Sequence, residues 1–183
     1  MKKTQRAPRA KAPKTAKATT KTRKPPKARQ QFAALPWRGE AATEVLLVTS
    51  RETGRWVIPK GWPVAGKPGW AAAAQEALEE AGVTGEIDRS PLGAYPYVKY
   101  LRSGRGQACK VKVFPMKVTG QMDDWPEKDQ RTSRWFGWAD AAGAVQELRL
   151  GRLIRRFAKR RRVQLAPLAS TQEISSPSTL PTA

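Results

Sequence analysis

Three carboxylates, Glu76, Glu79 and Glu80, follow one another at spacings of three and one. They lie in a run from 70 to 81 that is rich in Ala, Leu, Gln and Glu, so it predicts a helix. Residues three and four apart share a helical face, so the carboxylates gather there. Like charges so placed repel, and the helix gains nothing from them unless a cation arrives. A cluster of hard oxygen ligands suits Mg²⁺ or Mn²⁺. E-x-x-E-E alone is equally the pattern of a solvated acidic face, and only its surroundings separate the two. Gly82 follows directly, in the position that closes a helix in the left-handed conformation. Upstream, residues 61–69 hold three Gly and two Pro, which predicts a loop of fixed shape leading into the helix.

The rest of the composition narrows the chemistry. The chain has 183 residues, enough for one ordinary domain plus tails. It has no histidine, which removes the imidazole base, imidazole metal ligands and every His-based triad. Catalysis then falls to carboxylates, Lys, Tyr, Ser or water on a metal. The single cysteine, Cys109, excludes an intramolecular disulfide and points to a reducing compartment, the cytoplasm. No apolar run approaches membrane-spanning length, and no secretory signal is visible.

The net charge of +20 is uneven. Residues 1–30 hold 12 Lys or Arg and no acid, and residues 149–162 hold eight more, again with no acid. The segment between them is nearly neutral. Residues 1–30 bury no apolar surface and read as a disordered basic tail. That tail is a sequence-independent grip on nucleic acid or polyphosphate, or a solubilising extension; a third reading, a mitochondrial transit peptide, has its prolines and its lack of an apolar face against it. Residues 164–183 read as a second disordered tail, leaving 31–163 as the domain.

Within the domain, 31–38 and 44–50 read as strands, the second buried. A turn at 51–54 leads to a strand at 55–59 and then to the Gly61 loop. Residues 86–100 read as one bent strand or two short ones, and 103–106 as a hairpin loop. Alternation of apolar residues with lysine from 109 to 118 predicts a strand with one wet face. A last strand falls at 134–138. A helix starting near Asp140 continues to 148. Leu150, Leu153, Ile154 and Phe157 have helical spacing, with arginines on the opposite face. That face could meet a nucleic-acid backbone or an acidic membrane, or simply solvent.

Residues 61–83 resemble the Nudix box over all 23 positions, with Gly61, Glu76, Ala77, Glu79, Glu80, Gly82 and Val83 in register. Two positions depart: Lys67 stands where the family has Glu, and Gln75 where it has Arg. The W-x-x-P-K-G of 56–61, the following Trp62-Pro63, and Trp125-Pro126-Glu127 with Arg131 and Trp135 resemble the diphosphoinositol-polyphosphate-phosphohydrolase-like branch. The resemblance implies an α/β fold: a Nudix-type α/β/α sandwich with a mixed sheet and the Nudix loop-helix. It implies a Mg²⁺-dependent hydrolase, with Mn²⁺ as a substitute, acting on phosphoric anhydride bonds. Glu76, Glu79 and Glu80 become both the catalytic residues and the metal ligands. Lys60, Arg55 and Lys67 become phosphate contacts, and Gly61 lets the backbone approach the site. The substrates implied are inositol pyrophosphates or dinucleoside polyphosphates, with nucleotide sugars and RNA 5′ ends open. The rival reading is a Nudix-fold module that has lost catalysis and binds nucleic acid through its basic tails. Glu127 is a candidate outside ligand or base; the simpler reading pairs it with Arg131.

Overall fold

A computed structural model describes residues 27–101 and 103–165. Of the tails expected at 1–30 and 164–183, residues 1–26 and 166–183 lie outside the described residues, while Arg29 and Gln30 already belong to the first strand and Gln164 and Leu165 to the last helix.

The order along the chain is β1 (Arg29–Arg38), β2 (Glu44–Thr49), β3 (Trp56–Val57), β4 (Lys60–Gly61), α1 (Gly69–Ala81), β5 (Val83–Ile87), β6 (Gly93–Tyr100), β7 (Gly106–Gln121), β8 (Ser133–Gly137), α2 (Trp138–Ala144) and α3 (Leu148–Leu165). Among the described residues the strands form one eight-stranded mixed sheet. Its spine is the parallel pair β1 and β7, in register from Arg29↔Cys109 to Trp37↔Lys117. The other pairs are antiparallel. β7 carries β6 along its first half and β5 along its second. On its other side β1 meets β4 through Phe32↔Gly61 and β2 through Trp37↔Val45. Pro36 falls between those two contacts, where its missing N–H leaves no ladder bond broken on that side.

Side chains alternate across a strand, and β1 uses both faces. Phe32 lies against Gly69 at the start of α1. Trp37, of opposite parity, meets Phe157 of α3 edge to face, with centroids 5.8 Å apart. The helices therefore cover the two faces of the sheet, and the fold is an α/β/α sandwich. α1 approaches closely because its inward positions Ala73, Ala77 and Ala81 are small and fully buried. α3 is fastened by Leu150, Ile154 and Phe157, each worth about 1.5–3 kcal/mol on burial. No helix of the described residues is long and apolar enough to cross a membrane.

The sequence expectation for α1 matches its bounds, and Gly82 closes it at φ 65° with its N–H directed back to the Leu78 carbonyl at 3.0 Å. Elsewhere the structure differs. The strand expected at 55–59 is two short pieces, because Pro59 interrupts it and hands its carbonyl to the Ala34 N–H. β5 follows Gly82 at once, ahead of the expected strand at 86–100, and β7 reaches 16 residues where ten were expected. The helix expected from Asp140 to 148 ends at Ala144, and α3 begins afresh at Leu148.

Candidate active site

α1 presents its acids to the β4 edge of the sheet and to the loop between β7 and β8. The three carboxylates are brought to one region but are engaged differently. Glu80 is buried. Its Oε2 accepts the backbone N–H of Lys60 at 3.1 Å, and its Oε1 accepts from the Arg131 guanidinium. Burial pushes its carboxyl above the ordinary range, while Lys60 and Arg131 oppose the rise. Glu79 accepts a hydrogen bond from Gln75 Nε2 at 2.7 Å on Oε1. Glu76 is half-buried and receives no donor from the described residues; its carboxylate lies over Gly61. Burial first, then Glu80, Glu79 and Glu127, push its carboxyl from 4.5 to about 7, with Lys60 opposing.

Gly61 is therefore required for space: a Cβ there would collide with the Glu76 carboxylate. The two departures from the box meet each other. Lys67 Nζ donates to Gln75 Oε1 at 2.8 Å, and the Gln75 amide donates onward to Glu79. A lysine and an amide thus steer Glu79, where the family pattern has a glutamate and an arginine. Lys67 is spent on that relay.

Arg131 is the residue that the sequence reading did not single out as a site residue. Its guanidinium donates to Glu80, to Glu127 Oε2 at 2.5 Å and to the Thr49 carbonyl at 2.8 Å. It ties α1, β2 and the β7–β8 loop together at one point. Glu127 pairs with Arg131, and with Arg51 at 3.3 Å, in agreement with the simpler reading of that acid. Arg51 engages its Oε1 and Arg131 its Oε2. Its proximity to Glu80 was still out of reach of the sequence, where the two stand 47 positions apart.

A polar pocket opens beside Glu80, lined by Ser50, Arg51, Lys60, Tyr97, Lys99 and Arg131 among others. Lys60 Nζ stands 4.8 Å from the centre of the Tyr97 ring. Gln31 also lines the pocket, and its Oε1 is buried without a partner. Lys99, unmarked in the sequence reading, arrives because β6 pairs with β7 in the register Lys99↔Gln107. Arg55 goes elsewhere. It pairs with Glu147 at 3.4 Å, donates to the Val98 carbonyl at 3.0 Å and lies against Tyr97. Its guanidinium holds the α2–α3 junction against β6 and does not line the pocket.

Among the described residues no three acids stand ready-made around one point. Glu80 has both oxygens engaged by protein donors, and Glu79 has one. The donor set nevertheless fits a hard divalent cation. Glu76 is an unpartnered carboxylate among three other acids, the arrangement that a cation relieves.

Residues 27–157 match the model of the NUDIX domain. The chain belongs to the Nudix family. It is 36% identical over 96 residues to Nudix hydrolase 12, mitochondrial, of Arabidopsis thaliana, covering 51% of this chain and 47% of that relative. The match thus spans about half the length of that plant protein. Diphosphoinositol polyphosphate phosphohydrolase 3-alpha of Mus musculus is 32% identical over 130 residues, covering 69% of this chain and 75% of the relative. Among solved structures, an Ap4A hydrolase of C. elegans superposes with a TM-score of 0.51 at 22% identity, covering 73% of this chain and 98% of that one. A Nudix hydrolase from Nitrosomonas europaea gives 0.53 at 18%. These two likenesses are of fold.

Proposed function

We propose that this Nudix protein is a divalent-cation-dependent pyrophosphohydrolase that cleaves a diphosphate linkage in a highly anionic substrate, of the inositol pyrophosphate or dinucleoside polyphosphate class. One observation carries the reading: the acidic face of α1 adjoins a small polar pocket lined by Arg51, Lys60, Lys99 and Arg131 together with Glu52 and Glu80. An acid cluster beside a cationic pocket matches a polyphosphate bridged by a metal ion.

Glu76 and Glu79 would hold the ion, with Glu80 anchored behind them by the Lys60 N–H and Arg131. A bound Mg²⁺ or Mn²⁺ supplies Lewis acidity toward phosphate oxygens and toward water. The chain supplies the rest. Lys60 and Lys99 offset charge on the non-bridging oxygens as it develops. Arg131 keeps Glu80 in one orientation. Gln75 holds Glu79 Oε1, which leaves Oε2, without a donor among the described residues, to face the ion. Of the contacts expected from sequence, Lys60 is retained, while Arg55 and Lys67 are assigned to positioning. Lys60 and Lys99, the lining cations without an acidic partner among the described residues, suit a highly anionic substrate better than a nucleotide sugar. The cytoplasm is the proposed setting, on the strength of Cys109 being a buried free thiol.

The rival reading, a binding module without catalysis, has one observation in its favour: both Glu80 oxygens are already taken by protein donors. The Gln75 bond to Glu79 counts against it, since it restores the orientation that the missing arginine would give. Hydrolysis of an inositol pyrophosphate and of a diadenosine polyphosphate with Mg²⁺ tests the reading, with a Glu76→Gln, Glu79→Gln variant as control. Turnover abolished in the variant supports it, and equal rates in both proteins refute it.

A further inference from the structure

α3 carries a charge pattern that neither helix stability nor the hydrolytic site explains. Arg149, Arg152, Arg155, Arg156, Lys159, Arg160, Arg161 and Arg162 lie along it with no acid among them. None of them has an acidic partner among the described residues. Acids at a helix N-terminus and cations at its C-terminus are the stabilising arrangement. Here Arg149 and Arg152 stand in the opening turns, at the wrong end for the helix dipole. Like charges three and four apart also repel, with no acid interleaved to offset them. The helix tolerates this because Leu150, Ile154 and Phe157 hold its other side in the core.

Not all of these cations are free. Arg156 donates to the Leu92 carbonyl, Arg161 lies over Trp37 and Arg162 over Trp138. Arg152, Arg155 and Lys159 are exposed and sit at intervals of three and four, so they form one line along the outward face. Arg149 is exposed at its start. From Arg149 to Arg162 the helix rises roughly 20 Å at 1.5 Å per residue. Over that length a duplex presents roughly a dozen phosphates, at one charge per about 1.7 Å.

We propose that the outward face of α3 is a docking surface for the phosphate backbone of nucleic acid. The face is cationic and elongated and makes no provision for base recognition, so the grip is independent of sequence. A bilayer fits less well. A membrane-surface helix inserts an apolar side, and the apolar side of α3 is buried against the sheet. Among the described side chains of α3, Leu148 and Val163, towards its two ends, are the large apolar residues that are exposed. The inference does not rest on the hydrolytic reading, because α3 contributes no residue to the pocket beside Glu80.

The test is the salt dependence of binding to a fluorescently labelled DNA duplex of random sequence. The full-length protein is compared with an Arg152→Gln, Arg155→Gln, Lys159→Gln variant. A charge-matched control carries Arg105→Gln, Lys112→Gln and Lys117→Gln, all exposed and off the helix. Each phosphate contact contributes about 0.9 to the slope of log affinity against log salt. The α3 variant is expected to flatten that slope by about 2 to 3 and to lose at least about tenfold in affinity near 0.1 M salt. The control is expected to change the slope by less than about 1. All six substitutions are at exposed positions, and matching melting temperatures confirm that both variants are folded. An unchanged slope in the α3 variant overturns the proposal, and so does an equal loss in the control. Loss of binding to phosphatidylserine vesicles with DNA binding retained would overturn it in favour of a membrane.

Discussion

Replacing Glu76 by Gln should make the metal-free protein more stable at neutral and alkaline pH. Glu76 is half-buried, has no donor, and is surrounded by Glu80, Glu79 and Glu127, with Lys60 alone in opposition. Its folded carboxyl titrates at about 7 against 4.5 for the model carboxyl. The shift is upward, so the folded state binds the proton more tightly than the unfolded chain. The stability that the proton confers is fully present below about 4.5 and is lost as pH rises through about 7. At 1.36 kcal/mol per pH unit the upper bound is about 3 kcal/mol, and solvent screening of a half-buried group reduces it to about 1–2 kcal/mol. Gln keeps the shape and removes the charge, so it should recover that amount at pH 8, a lesser part of it at pH 5 and almost nothing below about pH 4. For a domain of this size the gain corresponds to roughly 3–8 °C in melting temperature. The assay is thermal unfolding in EDTA from pH 5 to pH 8, repeated with millimolar Mg²⁺. The ion should raise the melting temperature of the parent more than that of the variant. A variant no more stable than the parent at pH 8 in EDTA would refute the claim that Glu76 is an uncompensated carboxylate awaiting a cation.

Other substitutions separate the parts of the site. Gln75→Ala should raise the Mg²⁺ concentration needed for half-maximal activity several-fold, and Lys67→Ala should do so more weakly. A Lys67→Glu, Gln75→Arg double variant should restore it, and a double variant worse than either single change would break the relay. Arg131→Ala should cost about 3–5 kcal/mol in urea unfolding, because it leaves buried Glu80 without its guanidinium partner. Arg131→Lys should rescue little, since an ammonium cannot serve three acceptors in the same fork. Gly61→Ala should displace the Glu76 carboxylate and abolish the Mg²⁺-dependent thermal shift in a protein that still folds.

What could be seen in the chain beforehand was whatever is local. α1 declares itself through composition, its preceding loop and Gly82, and its three acids fall where the spacing puts them. Leu150, Leu153, Ile154 and Phe157 likewise mark the buried side of α3. What depends on distant pairing was hidden. Nothing in β1 or β7 announces that Arg29 will lie beside Cys109 in a parallel pair. That pairing and the β6–β7 register carry Lys99 into the pocket. Arg131 looks like any loop arginine until the β7–β8 loop folds over α1 and places it between Glu80 and Glu127. The partner of Arg55 was hidden for the same reason: Glu147, with which it pairs, lies 92 positions away. The partners of Glu80 were hidden as well, because the Lys60 N–H and Arg131 come to it from β4 and the β7–β8 loop.

The most direct measurement is release of phosphate or pyrophosphate from a panel of an inositol pyrophosphate, diadenosine polyphosphates, ADP-ribose, nucleoside triphosphates and 5′-triphosphorylated RNA, each with Mg²⁺ and with Mn²⁺. The Glu76→Gln, Glu79→Gln variant serves as the control. The account predicts cation-dependent turnover, fastest on the inositol pyrophosphate or a diadenosine polyphosphate and lost in the variant. Folded protein that turns over none of the panel, or a variant as active as the parent, would contradict it.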